Sequence, residues 1–180
     1  MDSGKPGNLE IFADKIMKPK PKDITFHYTN EQMVKDLLAI TPIEKNDTVL
    51  DVGSGKNKVW FNNLVGGKYE CEIEDGCDFY EWESLRIDGR VDWIVGNPPF
   101  HEGWKFLERA SQIADKGIAF LGNLNFWNSC LPNRFELLKD RGFYLNKIHI
   151  VQDKRWFGRY YYLIFTREPN NFLSWNVKTY

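Results

Sequence analysis

Apolar positions along the chain switch between two spacings. From Asn30 to about Ile40 they recur at helical intervals, with Met33, Leu37 and Leu38 on one face and Asn30 placed to cap the first turn. Pro42 stops that helix. Thr48 to Val52 is a short apolar run that breaks at Gly53-Ser54-Gly55, which predicts a buried strand and a tight turn. Val59, Trp60 and Leu64 predict a helix closed by Gly66-Gly67. Tyr69 to Ile73 and Val91 to Val95 read as strands, and the latter runs into Asn97-Pro98-Pro99-Phe100. Phe106, Leu107, Ala110 and Ile113 put a helix over Gly103 to about Asp115, and Ile118 to Leu121 is a strand. Pro132 suits the first turn of a helix that Gly142 closes. Lys147 to Val151 and Tyr160 to Phe165 are strands joined by Gln152 to Arg159.

Strands alternating with helices predict an α/β fold, a parallel sheet covered on both faces. The last two strands lie too close in sequence for a crossover, so they should pair as an antiparallel hairpin. Such doubly wound sheets bind ligands beyond the carboxyl ends of their strands, near the point where the strand order reverses. No internal repeat is visible. Lys18-Pro19-Lys20-Pro21-Lys22 opposes a regular helix. Residues 1–23 are therefore expected to be a flexible basic arm, and residues 24–180 a single domain.

Composition narrows this picture. A chain of 180 residues with 42% hydrophobic content suits one domain with a core. No apolar run approaches the roughly 18 residues of a membrane span. The lysine-rich amino terminus has no apolar segment of a secretion signal. The expected location is the cytoplasm, or a host cell's cytoplasm for a viral protein. Cys71, Cys77 and Cys130 fit no zinc spacing and are expected as reduced thiols, and no metal is expected. A net charge of −1 does not announce a polyanion partner. The distribution is uneven. Acids crowd Lys68 to Asp92, whereas bases (Arg134, Lys139, Arg141, Lys147, Lys154, Arg155, Arg159, Arg167) dominate Arg134 to Arg167. One-sided charge can guide a phosphate backbone to one face, and it can equally be solvated surface.

Three stretches carry candidate chemistry. In Asp51-Val52-Gly53-Ser54-Gly55 the glycines let backbone turn sharply and approach a ligand. Lys58 stands where a dinucleotide fingerprint has its third glycine, and no P-loop is present. About twenty residues on, Glu72 in Glu72-Ile73-Glu74 can accept from both hydroxyls of a ribose. On a regular strand Glu70, Glu72 and Glu74 would share a face. Asp78-Phe79 can then accept from an exocyclic amine and cover a ring. The third stretch is Asn97-Pro98-Pro99-Phe100.

On these residues the sequence resembles the amino-methyltransferases, which include DNA and RNA adenine N6-methyltransferases and glutamine N5-methyltransferases. Their signature is Asp/Asn/Ser-Pro-Pro-Tyr/Phe/Trp. The resemblance runs from about Tyr28 to Phe165. It implies a Rossmann-like, mostly parallel seven-stranded sheet ending in an antiparallel hairpin, and S-adenosyl-L-methionine as cofactor. Implied cofactor contacts are Tyr28, Thr29, Asp51, Gly53, Ser54, Gly55, Glu72, Ile73, Asp78, Phe79 and Asn97. Asn97 and the Pro98 carbonyl would accept the two hydrogens of a planar amine, Pro99 would fix the turn, and Phe100 would stack on the ring. In a duplex the target base must leave the stack. Asn123, Asn125, Phe126 and Trp127 are expected to border the pocket, and Lys154, Arg155, Trp156 and Arg159 to contact nucleic acid. The chain lacks room for the target-recognition region that DNA enzymes of this family usually carry. A homodimer, a specificity subunit, an RNA substrate, a protein glutamine substrate and a non-catalytic partner role stay open.

Overall fold

The computed structural model describes residues 29–83, 89–155, 158–170 and 172–174. The arm over residues 1–23, Tyr28 and Trp156 lie outside the described residues. The strands are β1 (Thr48–Val52), β2 (Gly67–Cys71), β3 (Val91–Gly96), β4 (Ala114–Asn123), β5 (Tyr144–Val151) and β6 (Tyr160–Thr166). The helices are α1 (Glu31–Ala39), α2 (Val59–Asn63), α3 (Gly103–Ile113), α4 (Leu124–Asn128) and α5 (Pro132–Asp140). Spatial order is β2-β1-β3-β4-β6-β5. The first four are parallel, and β6 runs antiparallel between β4 and β5.

Period-two alternation sorts the strands' side chains to the two faces. Leu50, Ile94, Ile118, Phe120, Leu163 and Phe165 point to one layer, where α3 adds Leu107 and α5 adds Leu138. Val49, Trp93, Val95, Leu121, Tyr162 and Ile164 point to the other, against Val34 and Leu37 of α1 and Trp60 of α2. Full burial of a side chain such as Phe120 contributes about 1.5–3 kcal/mol. Asn30 caps α1 as expected, its side-chain oxygen accepting from Gln32 N at 2.8 Å.

The structure corrects four expectations. The described residues hold six strands, not seven. After β2 the chain enters an acid-rich stretch with a one-turn 3-10 helix (Ile73–Asp75), and among its described residues 72–83 the buried large apolar side chain is Phe79. Over residues 72–83 the chain follows this helix and turns, so that described part forms no strand. β2 also starts at Gly67 and stops at Cys71, so Glu70, Glu72 and Glu74 do not form one strand face. Gly76, at φ 84°, turns the chain back and caps the 3-10 turn. That reversal brings the Cα atoms of Cys71 and Cys77 to 5.2 Å, and the two form a disulfide instead of the expected free thiols. Cys130 alone among the three is free. Finally, β4 extends well beyond Ile118–Leu121, and the unanticipated α4 follows it directly, started by the Asn123 side chain accepting from Asn125 N and Phe126 N.

Candidate active site

The strand order reverses between β1 and β3, since the chain leaves β1 for β2 on one side and β3 for β4 on the other. The loops after these strands should then enclose a ligand site, and they do. A cavity of about 460 Å³ opens at their carboxyl ends, walled by Gly53, Ser54 and Gly55 after β1, Glu72 and Ile73 after β2, and Asn97 to Phe100 after β3. A volume of this order suits a ligand of cofactor size.

Gly53 and Gly55 both take left-handed backbone, at φ 66° and 63°. Gly53 N–H donates to Cys71 O at 2.9 Å, tying the turn to the end of β2. Gly55 N–H donates to Glu72 Oε2 at 2.7 Å, which fixes the carboxylate at the cavity wall. The other oxygen, Oε1, has only a 3.4 Å contact from Glu74 N, so it keeps acceptor capacity toward the cavity. Ile73 is 67% exposed, unusual for a large aliphatic side chain, and it lies on this wall. Phe79 lines the cavity from below and stacks on Phe106 with centroids 5.1 Å apart. Lys58 is left-handed at φ 47°, the conformation a third glycine would supply, and its ammonium pairs with Glu70 and Asp75.

Asn97 is the most informative side chain. Its Nδ2 points to Thr29 Oγ1 at 3.5 Å, while its Oδ1 is buried without a hydrogen-bond partner among the described residues. A buried acceptor left open costs about 1–3 kcal/mol, so such atoms call for a ligand. Ser54 Oγ is a second buried polar atom on the same wall without a partner among the described residues. Phe100 is half-buried and tilts against Tyr160, centroids 5.7 Å apart. Tyr160 starts β6 opposite Asn123, the last residue of β4, so the β5–β6 loop stands at the same end of the sheet as the cavity.

Not every expected residue reaches the cavity. Asp51 lies fully buried behind the glycine turn, where Oδ2 accepts from Phe61 N at 3.0 Å. Burial pushes its carboxyl up to about 7, the Phe61 N–H opposes this, and Glu70 and Glu72 add to it. Asp78 accepts from Tyr80 N at 2.9 Å and closes a turn away from the cavity. Asn123 caps α4, Phe126 is core, and Trp127 stacks on Tyr161. Thr29, Asn97, Pro98, Pro99, Phe100, Glu72, Ile73 and Phe79 do line it. Trp60, His101 and Phe106 also line it and were not singled out from sequence. Phe106 was legible only as a core position of α3, and His101 only as the residue after the tetrapeptide.

The basic carboxyl-terminal half divides in the same way. Arg141 donates to Ser111 Oγ at 2.8 Å, and Arg167 donates to Ala114 O and Asp115 O, both at 2.8 Å, while stacking on Phe143. Arg141 is thereby tied to the carboxyl-terminal part of α3, and Arg167 pins the amino end of β4, opposite the cavity. Arg134 lies over the Trp104 ring. Arg155 folds back on Asp153 and holds that carboxyl below its ordinary range. Lys154 and Arg159 are exposed on the β5–β6 loop, at the same end of the sheet as the cavity.

The Asp51 shift has a measurable consequence. An acid whose folded-state pKa is raised from 3.8 to about 7 binds more protons folded than unfolded between those values. Stability from this group is then greatest at low pH and falls as pH rises from about 4 to about 7. Asp51→Asn keeps an acceptor for Phe61 N–H without the charge. Its stability relative to the parent chain, from urea melts, should climb across that window; a flat difference would mean that the carboxyl titrates normally.

No protein-family model and no curated protein matches the sequence. Among the described residues no helix is long and apolar enough to cross a membrane, and no group of three or more His, Cys, Asp or Glu could hold a metal ion. Solved structures do resemble it. The precorrin-6y C5,15-methyltransferase of Geobacter metallireducens GS-15 superposes with TM-score 0.54 at 15% identity, over 79% of this chain and 90% of that one. Magnesium protoporphyrin IX methyltransferase (ChlM) of Synechocystis PCC 6803, with SAH bound, gives 0.53 at 13% identity, over 77% and 83%. The E. cuniculi Mtq2–Trm112 complex, responsible for methylation of the eRF1 translation termination factor, gives 0.51 at 15%, over 79% and 98%. The chain therefore has the Rossmann-like α/β fold on which these methyltransferases are built.

Proposed function

We propose that the protein transfers a methyl group from S-adenosyl-L-methionine to a planar amino nitrogen, the N6 of adenine in a nucleic acid. The observation that carries this reading is the Oδ1 of Asn97, buried on the cavity wall that Phe100 also lines and without a hydrogen-bond partner among the described residues. An exocyclic amine is a weak nucleophile, because its lone pair is delocalised into the ring. Asn97 Oδ1 and the Pro98 carbonyl would accept its two hydrogens and turn the lone pair out of the ring plane. As the N–C bond forms, positive charge grows on the nitrogen, so fixed acceptors stabilise the transition state more than the bound substrate. Phe100, braced by Tyr160, offers a ring face for stacking.

The cofactor's part is an electrophilic methyl on a sulfonium. The residues present fit it. Glu72 presents an acceptor for ribose hydroxyls, Ile73 and Phe79 form apolar walls for an adenine, and the glycine turn with Ser54 lets a ligand approach the backbone. The fold's relatives add support, since ChlM has been crystallised with SAM and with SAH. Nucleic acid is favoured as substrate because the β5–β6 loop brings exposed Lys154 and Arg159 to the cavity side, and phosphate contacts of this kind position a strand. Methylation of a protein factor by Mtq2–Trm112 keeps a glutamine amide as the second reading.

Labelled methyl transfer to single-stranded DNA, duplex DNA, RNA and protein extract in parallel, followed by nucleoside mass spectrometry, tests this. The expected product is N6-methyladenine in one nucleic-acid pool. Label confined to protein would replace the substrate assignment, and no label with cofactor bound would replace the catalytic one.

A further inference from the structure

We propose that Cys71 and Cys77 form a reducible clamp on the cofactor-binding wall, so that thiol–disulfide exchange with a dithiol sets how tightly the cavity holds its nucleotide ligand. The proposal rests on the cofactor reading given above. Cys71 ends β2 and is buried, and Cys77 is half-buried; both line the cavity. Between them lie Glu72 to Gly76, which include the carboxylate that accepts from Gly55 and the exposed Ile73. The disulfide therefore closes a small ring around the segment offered to the ribose and adenine.

The ring matters because little else holds this segment. Its backbone bonds are Asp75 N and Cys77 N to Glu72 O and Gly76 N to Ile73 O, all about 3.0 Å and all internal to it. Its links outward are the Glu72–Gly55 bond and ion pairs from Lys56 and Lys58, on side chains that remain partly exposed. Exposed ion pairs contribute little order. With the disulfide closed, Glu72 and Ile73 are held in the binding arrangement before the ligand arrives, and preorganisation of this kind raises affinity.

Exchange balances without further reagents. A thiolate of the dithiol attacks Cys77 Sγ from the cavity side, the S–S bond breaks, and Cys71 leaves as a thiolate that takes up a proton. The second thiol of the reductant then displaces Cys77 Sγ. The reductant ends as a cyclic disulfide and the protein as two thiols, having gained two electrons and two protons. The reduced Cys71 thiol has an acceptor in place, the Cys77 carbonyl oxygen at 3.2 Å. By linkage, bound cofactor should shift the thiol–disulfide equilibrium toward the disulfide by the same factor by which the disulfide tightens binding.

The test uses the full chain prepared without reductant. Maleimide labelling after unfolding is expected to modify Cys130 alone; labelling of all three cysteines would overturn the clamp. Calorimetric titration with S-adenosylhomocysteine is expected to give an affinity about tenfold weaker after dithiothreitol. The double variant Cys71→Ser, Cys77→Ser should match the reduced value and ignore dithiothreitol. Equal affinity in both redox states would overturn the proposal. Binding in neither state would sink the cofactor reading instead. Hydrogen exchange of residues 72–77 in the same samples then decides the clamp: faster exchange on reduction upholds it, and unchanged exchange ends it.

Discussion

Replacing Asn97 with alanine is expected to slow methyl transfer about 10²- to 10³-fold, the scale seen when one preorganised hydrogen-bonding group is taken from a transition state. Affinity for S-adenosylmethionine should change by no more than about twofold, because in the proposed reaction the lost atom would bind the acceptor substrate. The prediction follows from how the side chain is held. Thr29 engages Nδ2, and the short turn after β3 has no freedom to swing Oδ1 elsewhere, since prolines follow at the next two positions. The amide oxygen is therefore aimed before substrate arrives, and no described residue competes for it. Asn97→Asp keeps an oxygen at that place and should give an intermediate rate. Single-turnover rates and calorimetric affinities separate the alternatives. Parallel loss of binding and rate in Asn97→Ala would make Asn97 a support for the pocket instead of a participant in transfer.

Much of this arrangement could be read from local sequence. The strand β1, the Asn30 cap, Pro132 at the start of α5 and the closing hairpin all follow from periodicity and turn chemistry, which act over a few residues. The tetrapeptide and glycine turn were legible for the same reason, since each is contiguous. What escaped depends on distance through space. The Cys71–Cys77 bond needed the reversal at Gly76, which ends β2 before Glu72. Tyr160 read as the first residue of a strand; only the insertion of β6 beside β4 brings it to Phe100. Charge misled most. Arg141 and Arg167 count as bases in a linear sum, yet Arg141 bonds to the carboxyl-terminal part of α3 and Arg167 to the amino end of β4, whereas Lys154 and Arg159 stand exposed on the β5–β6 loop at the cavity end of the sheet.

The largest effect on the fold is expected from Gly96→Ala, at the last position of β3 and immediately before Asn97. Gly96 has φ 145°, a region closed to side chains, and an added Cβ would lie 2.4 Å from the Val52 carbonyl oxygen and 3.2 Å from Asp51 Oδ1. The obstacle is backbone of the paired strand β1, with Val52 directly opposite Gly96 in the register. Neither strand can retreat cheaply, because each also pairs on its other side, β1 with β2 and β3 with β4. Strain of about 1–3 kcal/mol from the backbone and a further ~1–3 kcal/mol from overpacking give a loss on the order of 3–5 kcal/mol, a large share of a typical domain's stability. Gly55→Ala is the control. Gly55 is also left-handed, at φ 63°, but no atom lies within 4 Å of its added Cβ, so only backbone strain of roughly 1–2 kcal/mol applies. Urea melts of the two variants should therefore differ by about 1–4 kcal/mol, with Gly96→Ala the weaker. Equal losses would mean that β1 and β3 separate freely at their carboxyl ends, and the two loops that carry Gly53 and Asn97 would then not be held at a fixed spacing across the cavity.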